Sequence, residues 1–139
     1  MEIETGQEID ALEQGSILRV LLAEDDPDTG YLLSLLLKRA GFEVTIASDG
    51  AECLRAAQTS ESQGTPFDLV LMDLRMPRLS GLGAARSLRA AGFSKPIVAM
   101  TAASSLGQRL ESIYCGCDEF LAKATINETL IPTVKRLIH

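Results

Sequence analysis

The stretch ILRVLLAEDDPD, residues 17–28, carries the strongest fold signal in this chain. Its first seven residues are apolar except Arg19, a composition typical of a strand that is covered on both faces. Three consecutive acids follow at 24–26, and Pro27 then suits the first position of a helix. The stretch therefore predicts a buried strand, an acidic turn and a helix that Asp26 caps.

Three further apolar runs also end at a residue that can take part in chemistry. If all four runs are parallel strands, their carboxyl ends meet at one edge of the sheet. That edge would hold an acidic cluster, a hydroxyl and an ammonium, a set that suits a divalent cation and a phosphoryl group. The three further runs are 67–72, 97–100 and 120–122, followed by Asp73, Thr101 and Lys123 respectively.

Five predicted strands alternate with five predicted helices along the chain. This alternation predicts an α/β fold, a doubly wound five-stranded parallel sheet with helices on both faces and right-handed crossovers. The third strand is the best candidate for the centre of the sheet. The predicted strands are 17–23, 44–47, 67–72, 96–100 and 118–122.

Capping residues predict where the helices begin and end. Asp49 with Glu52, and Thr125 with Glu128, have the spacing of a capping box. Ser80 is predicted to cap the third helix, and the helices are predicted to end at glycines. Residues 58–66 are predicted to be a polar connection. Pro132 is expected to kink the last helix or delay its start.

Apolar spacing predicts which helix faces are buried. In the first helix we expect a buried stripe of Leu33, Leu36, Leu37 and Ala40, and in the last helix Leu130, Val134, Leu137 and Ile138. In the fourth helix the predicted stripe is Leu106, Leu110 and Ile113. The arginines at 78, 86 and 89 are predicted to form a solvated helix face.

The composition excludes several classes of function. The 139 residues are enough for one domain, and 46% hydrophobic with 23% charged residues is typical of a globular protein. A net charge of −6 argues against direct nucleic-acid binding, which needs a basic face. No apolar run is long enough to insert into a membrane, and residues 1–4 do not begin a signal peptide. We therefore expect a cytoplasmic protein.

The domain is expected to occupy residues 17–139, with residues 1–16 as a flexible leader or linker. The three cysteines, Cys53, Cys115 and Cys117, are an odd number and argue against a disulfide framework. A structural zinc site is not predicted, since Cys115 and Cys117 lack a second pair of ligands.

The acidic cluster needs a compensating positive charge. Two carboxylates about 4 Å apart repel by roughly 4 kcal/mol at an effective dielectric constant of about 20. A proton, a lysine or a hard cation would offset that repulsion for Glu24, Asp25 and Asp73. Few ligands on an open face favour Mg²⁺, with Mn²⁺ as the other candidate. An aspartate beside a metal and Lys123 can act as a nucleophile toward phosphorus.

Five short motifs now point to a known family. They are LAEDD (22–26), LMDLRMP (71–77), SG (80–81), PIVAMTA (96–102) and FLAK (120–123). Together they resemble the receiver domains of two-component response regulators, across almost the whole chain. The resemblance implies a flavodoxin-like sheet with strand order 2-1-3-4-5. The motif PIVAMTA and the polar segment 58–66 are similar to receivers attached to hybrid histidine kinases.

The resemblance also implies a metal site and a phosphoacceptor. Asp73 would accept the phosphoryl group. Mg²⁺ would be bound by Asp25, by Glu24 partly through water, by Asp73 and by the main-chain carbonyl of Arg75.

A switch and a partner are implied in the same way. Thr101 and Lys123 would contact the phosphoryl group, and Phe120 would be the aromatic residue that turns inward on phosphorylation. A histidine kinase or a histidine phosphotransfer protein would dock near the first helix. The resemblance fixes neither a dimeric state nor whether the receiver stands alone.

Three residues depart from the family pattern and bear on two alternative functions, a phosphorylation-independent binding module and a phosphatase. Ala124 replaces the usual proline after Lys123, so we expect a trans peptide there. Phe120 replaces the commoner tyrosine. Both departures suit a binding module that ignores phosphorylation. The third is Arg75, which occupies the position where aspartyl phosphatases place a second acid, and it argues against a turnover enzyme.

Overall fold

Strands and helices alternate throughout the computed structural model, which describes residues 17–76, 79–102 and 105–138. The strands are β1 (Arg19–Ala23), β2 (Glu43–Ala47), β3 (Leu69–Asp73), β4 (Ile97–Thr101) and β5 (Glu119–Ala122). The helices are α1 (Pro27–Arg39), α2 (Gly50–Ser62), α3 (Gly81–Ala90), α4 (Leu106–Tyr114) and α5 (Ile126–Ile138). The predictions for the leader 1–16 and for Arg78 concern residues outside the described ranges.

The five strands form one parallel sheet in the order β2-β1-β3-β4-β5, as predicted. Ala23 of β1 lies opposite Met72 of β3, and Asp73 lies opposite Met100 of β4. Thr101, the last residue of β4, pairs with Ala122 of β5. The register therefore aligns the carboxyl ends of four strands along one edge.

Helices cover both faces of the sheet, which confirms the doubly wound prediction. Every residue of β3 and β4 is buried, so the third strand is central as expected. Successive side chains of β1, such as Leu21 and Leu22, belong to different apolar clusters on the two faces. Alternation along a strand thus supplies a core to each layer of helices.

Helix α1 begins and ends where its sequence predicts. The Asp26 carboxylate accepts a hydrogen bond from the Thr29 amide at 3.1 Å, and Gly41 ends the segment with φ of 100°. Leu33 and Leu37 are fully buried, whereas Leu36 and Ala40 are only partly buried.

Helix α2 is longer than predicted. It continues to Ser62, so half of the connection predicted at 58–66 is helical; its polar side chains lie mostly on the exposed face. Gly64 follows two residues after the helix, and its φ of 77° suits glycine. The Asp49 carboxylate accepts from the Glu52 amide at 2.7 Å, which confirms the predicted cap, and the Glu52 carboxylate accepts from the Ser48 amide at 2.5 Å.

The orientation of α4 contradicts the predicted stripe. Leu106, Leu110 and Ile113 are 72%, 58% and 55% exposed, whereas Ser112 is fully buried. The Ser112 hydroxyl donates to the carbonyl oxygen of Arg109 at 2.8 Å. Because this hydroxyl is satisfied within its own helix, the small serine can face the sheet and the apolar stripe faces solvent.

Arg89 is also not the solvated residue that was predicted. Its guanidinium donates to the carbonyl oxygens of Gly116, Phe93 and Lys95 at 2.7–3.0 Å and pairs with the Asp118 carboxylate at 2.8 Å. The planar guanidinium thus joins the end of α3 to the turns before β4 and β5.

Arg86 is exposed, as predicted, with its guanidinium 5.8 Å from the ring centre of Tyr114.

The chain after β5 enters α5 through a short 3₁₀ turn, Lys123–Thr125. Thr125 belongs to this turn, so its backbone is helical and does not have the extended conformation of a cap, in contrast to the capping box predicted with Glu128. Its hydroxyl donates to the carbonyl oxygen of Ala122. The Lys123–Ala124 peptide is trans, as expected. Pro132 lies inside α5, which begins at Ile126, directly after Thr125, and runs to Ile138. The proline therefore does not delay the start of this helix.

The three cysteines are free thiols, in agreement with their odd number. Burial raises the pKa of Cys53 and of Cys117 to about 12, so both are unreactive at neutral pH. Among the described residues, every helix is too short or too polar to cross a bilayer.

Candidate functional site

An acidic cluster lies at the carboxyl edge of the sheet. Glu24 and Asp25 follow β1, and Asp73 is the last residue of β3. One carboxylate oxygen from each of the three lies within 4.8 Å of the other two. Glu24 and Asp73 are buried, whereas Asp25 is exposed. The structure thus brings together the three acids that the strand ends predicted.

Backbone hydrogen bonds hold these acids in place. The Glu24 amide donates to the carbonyl oxygen of Ala47 at 2.9 Å, and its Oε2 accepts from the Asp26 amide at 3.2 Å. The Asp73 Oδ1 accepts from the Arg75 amide at 3.0 Å. Each buried carboxylate therefore has one oxygen oriented by the main chain.

Lys123 bridges the two buried acids. Its Nζ lies 2.9 Å from Glu24 Oε1 and 2.9 Å from Asp73 Oδ2. The lysine is the first residue of the 3₁₀ turn, so the end of β5 positions its side chain across the sheet edge. One ammonium facing three carboxylates leaves the cluster with excess negative charge.

The pKa values reflect this imbalance. Burial raises the pKa of Glu24, and the nearby charge of Asp73 adds to the increase. Burial also disfavours the charged form of Lys123, but its hydrogen bonds to Glu24 and Asp73 outweigh this and raise its pKa. Lys123 is therefore a stable ammonium at neutral pH, whereas ionisation of Glu24 is unfavourable in the folded protein.

The donor set fits a hard divalent cation. Apart from its ion pair with Lys123, Glu24 Oε1 has no hydrogen-bond partner among the described residues. Carboxylate oxygens, one of them exposed to solvent, are the ligands that Mg²⁺ binds while it keeps several waters. A cation there would also remove the repulsion within the cluster.

The two predicted switch residues lie on β4 and β5. Thr101 is fully buried, one residue beyond Met100, the β-ladder partner of Asp73. Phe120 of β5 is 7% exposed and belongs to the apolar cluster beneath α2 and α3. The Arg109 guanidinium lies 5.6 Å from the centre of its ring.

Two glycines, at the first positions of α2 and α3, allow close contacts with the neighbouring backbone. A Cβ atom on Gly81 would lie 2.3 Å from the Asp73 carbonyl oxygen, and one on Gly50 would lie 2.1 Å from the Leu79 carbonyl oxygen. The motif SG at 80–81 was a sequence signal for the first contact. Nothing in the sequence indicated the contact of Gly50 with Leu79, or the position of Arg109 over Phe120.

Comparison with known proteins identifies similar sequences. The family model for the response regulator receiver domain matches residues 20–135. The transcriptional regulatory protein PrrA of Mycobacterium tuberculosis is 36% identical over 121 residues, covering 87% of this chain and 50% of PrrA. The hybrid signal transduction histidine kinase I of Dictyostelium discoideum is 36% identical over 117 residues, covering 81% of this chain and 7% of that kinase. The chain thus spans about half the length of the bacterial regulators that it matches.

Solved structures are similar over the same region. The receiver domain of the sensor histidine kinase PA1611 from Pseudomonas aeruginosa PAO1, with a magnesium ion in its active site cleft, is 32% identical with a TM-score of 0.78. The match covers 88% of this chain and 98% of that domain. The Thermotoga maritima response regulator TrrA, in complex with Mg²⁺-BeF, is 30% identical with a TM-score of 0.74, covering 87% of this chain and 99% of TrrA.

Proposed function

The chain belongs to the receiver domain family of response regulators, and on this premise we propose that it is a switch in which Asp73 accepts a phosphoryl group. One observation carries the assignment: three carboxylates lie within 4.8 Å of one another, and a lysine ammonium lies 2.9 Å from two of them. A cluster that serves only the fold would not need so much unbalanced buried charge.

Mg²⁺ is the proposed cofactor, and Mn²⁺ would be accepted by the same oxygen ligands. Glu24, Asp25, Asp73 and the main-chain carbonyl of Arg75 would hold it. When bound, the cation would neutralise negative charge on the phosphoryl oxygens and on the carboxylates.

Phosphoryl transfer then needs mainly positioning and charge neutralisation from the chain. An Asp73 carboxylate oxygen forms a bond to phosphorus while the phosphorus–nitrogen bond of a phosphohistidine donor breaks. The electron pair of that bond stays on the imidazole nitrogen. The Lys123 ammonium pairs with the transferred group, and the Thr101 hydroxyl donates to a phosphoryl oxygen.

Residues 17–139 are proposed as the receiver unit, working in the cytoplasm with a histidine kinase or a histidine phosphotransfer protein as donor. The unit would be a substrate of its donor and not a turnover enzyme. Docking near α1 would place the donor imidazole beside the acidic cluster, because α1 begins directly after Asp25 and Asp26. A dimeric state is not part of the proposal.

Binding of beryllofluoride, a phosphoryl mimic, separates this proposal from a phosphorylation-independent binding module. We expect calorimetry to show saturable binding to the wild type in Mg²⁺ and none in EDTA. Asp73→Asn should abolish the binding. Asp28→Asn is the matched control, since Asp28 is an exposed acid of α1 outside the cluster, and it should bind normally. If the wild type does not bind beryllofluoride in Mg²⁺, the proposal is wrong.

A further inference from the structure

Helix α4 is attached to the sheet by few side chains. Its apolar residues point to solvent: Leu106, Leu110, Ile113 and Tyr114 are all more than half exposed. Ser112 is its single buried residue. Since a serine provides little apolar contact, another interaction must contribute to the position of this helix.

The clearest side-chain contact between α4 and β5 joins Arg109 to Phe120. The Arg109 guanidinium carbon lies 5.6 Å from the ring centre, within the range of a cation–π interaction. The ring itself is 7% exposed and packs in the same apolar cluster as Ala99 and Cys117. The guanidinium therefore lies over a ring that is buried beneath it.

A second observation is that the packing of α4 leaves a buried polar group without a partner. The Gln108 side-chain oxygen is buried and has no hydrogen-bond partner among the described residues. An unsatisfied buried carbonyl costs free energy in this position of the helix. A contact of modest strength, such as Arg109 with Phe120, can then change the preferred position of α4.

We propose that Arg109 is a positioning residue that couples the buried conformation of Phe120 to the position of α4. The inference rests on the proposed function and on the expectation, implied by the family resemblance, that Phe120 turns inward on phosphorylation. Because Arg109 stabilises the buried ring, it also favours binding of the phosphoryl group, since both prefer the same conformation. The exposed apolar face of α4 would then move with the ring.

The expected effect can be estimated from the strength of the contact. An exposed cation–π pair contributes about 0.5–1 kcal/mol, which corresponds to about a two- to fivefold change in a dissociation constant. Removal of the guanidinium should therefore weaken beryllofluoride binding in saturating Mg²⁺ by about two- to fivefold.

Arg109→Ala and Arg86→Ala form a matched pair for this test. Both remove one exposed arginine beside an aromatic ring, but Arg86 lies over the exposed Tyr114 at 5.8 Å and not over Phe120. We expect Arg109→Ala to weaken beryllofluoride binding and Arg86→Ala to leave it unchanged. In the Phe120→Leu background, Arg109→Ala should have no further effect, because the ring that it contacts is gone.

A second readout follows the ring directly. With 4-fluorophenylalanine at position 120, the solvent isotope shift of the ¹⁹F resonance reports exposure of the ring. Arg109→Ala should increase this exposure, and Arg86→Ala should not. The inference is overturned if Arg109→Ala matches Arg86→Ala in both readouts, or if its effect on binding persists in Phe120→Leu. If the wild type fails to bind beryllofluoride while Arg109→Ala still exposes the ring, the proposed function fails and the coupling stands.

Discussion

The buried carboxylate of Glu24 has opposite effects on stability and on metal binding. Its pKa is raised, so the folded protein holds this proton at a pH where the unfolded chain has lost it. The resulting contribution to stability is complete below the ordinary value of 4.5 and is lost as the pH rises through the raised value. At neutral pH without metal, ionised Glu24 therefore lowers the free energy of unfolding.

Glu24→Gln should stabilise the metal-free protein at pH 7. We expect Tm in EDTA to rise by about 2–5 °C, the size expected for roughly 0.5–1 kcal/mol in a small domain. The rise should shrink toward pH 4, where the wild-type carboxyl takes up its proton. Scanning calorimetry across this pH range is the measurement.

In saturating Mg²⁺ we expect the wild type to have a higher Tm than Glu24→Gln, the reverse of the order in EDTA. The wild type has the full set of carboxylates, so its Tm should increase more with Mg²⁺ than that of Glu24→Gln. Glu61→Gln, at an exposed position near the end of α2, serves as the control and should respond to Mg²⁺ as the wild type does. Equal responses in all three proteins would contradict the role of Glu24.

Gly81 and Gly107 offer a paired test of local packing. A Cβ at Gly81 meets the Asp73 carbonyl oxygen at 2.3 Å, whereas one at Gly107 meets nothing nearer than 3.9 Å. Gly81→Ala should destabilise the fold by about 1–3 kcal/mol through overpacking. Gly107→Ala, inside α4, should stabilise it by about 0.5–1 kcal/mol. Urea denaturation measures both, and a neutral Gly81→Ala would show that the α3 contact can relax.

At the scale of elements, Arg89 of α3 joins the turn that precedes β4 to the turn that precedes β5. Arg89→Lys keeps the charge but cannot supply the planar set of donors to three carbonyl oxygens and the Asp118 carboxylate. We expect a loss of about 1–2 kcal/mol in the free energy of unfolding, because several hydrogen bonds, two of them partly buried, would be lost together.

Arg86→Lys is the matched control on the same helix. Its guanidinium contacts only the Cys115 sulfur, at 3.9 Å, and the Tyr114 ring among the contacts that the structure gives it. Its replacement should change the free energy of unfolding by less than about 0.5 kcal/mol. If both lysine variants unfold at the same urea concentration, Arg89 does not hold these turns together.

Periodicity predicted that α4 exists but not which of its faces meets the sheet. The spacing of Leu106, Leu110 and Ile113 is the spacing of a buried stripe, yet all three are exposed. A sequence pattern alone does not say whether an apolar face meets the core or solvent, and the burial of Ser112 depends on a hydrogen bond within the helix. For α1 the same reasoning succeeded, because Leu33 and Leu37 meet a sheet that is apolar along its whole face.

At the scale of the whole molecule, the fold was predictable because five apolar runs alternate with helical segments. Parallel strands bring their carboxyl ends together, so the order of the apolar runs alone predicts that Glu24, Asp73 and Lys123 lie at one edge. Contacts between helices could not be predicted in this way. Arg109 over Phe120 and Arg89 beside Asp118 depend on how helices lie relative to the sheet, and no local signal encodes that.

The phosphorylation of Asp73 is tested most directly by intact mass spectrometry after incubation with Mg²⁺ and acetyl phosphate. We predict one added phosphoryl group on the wild type and on Asp28→Asn, and none on Asp73→Asn or in EDTA. An equal adduct on Asp73→Asn would contradict the assignment of this residue. No adduct on the wild type, together with no Mg²⁺-dependent binding of beryllofluoride, would contradict the phosphoacceptor function itself.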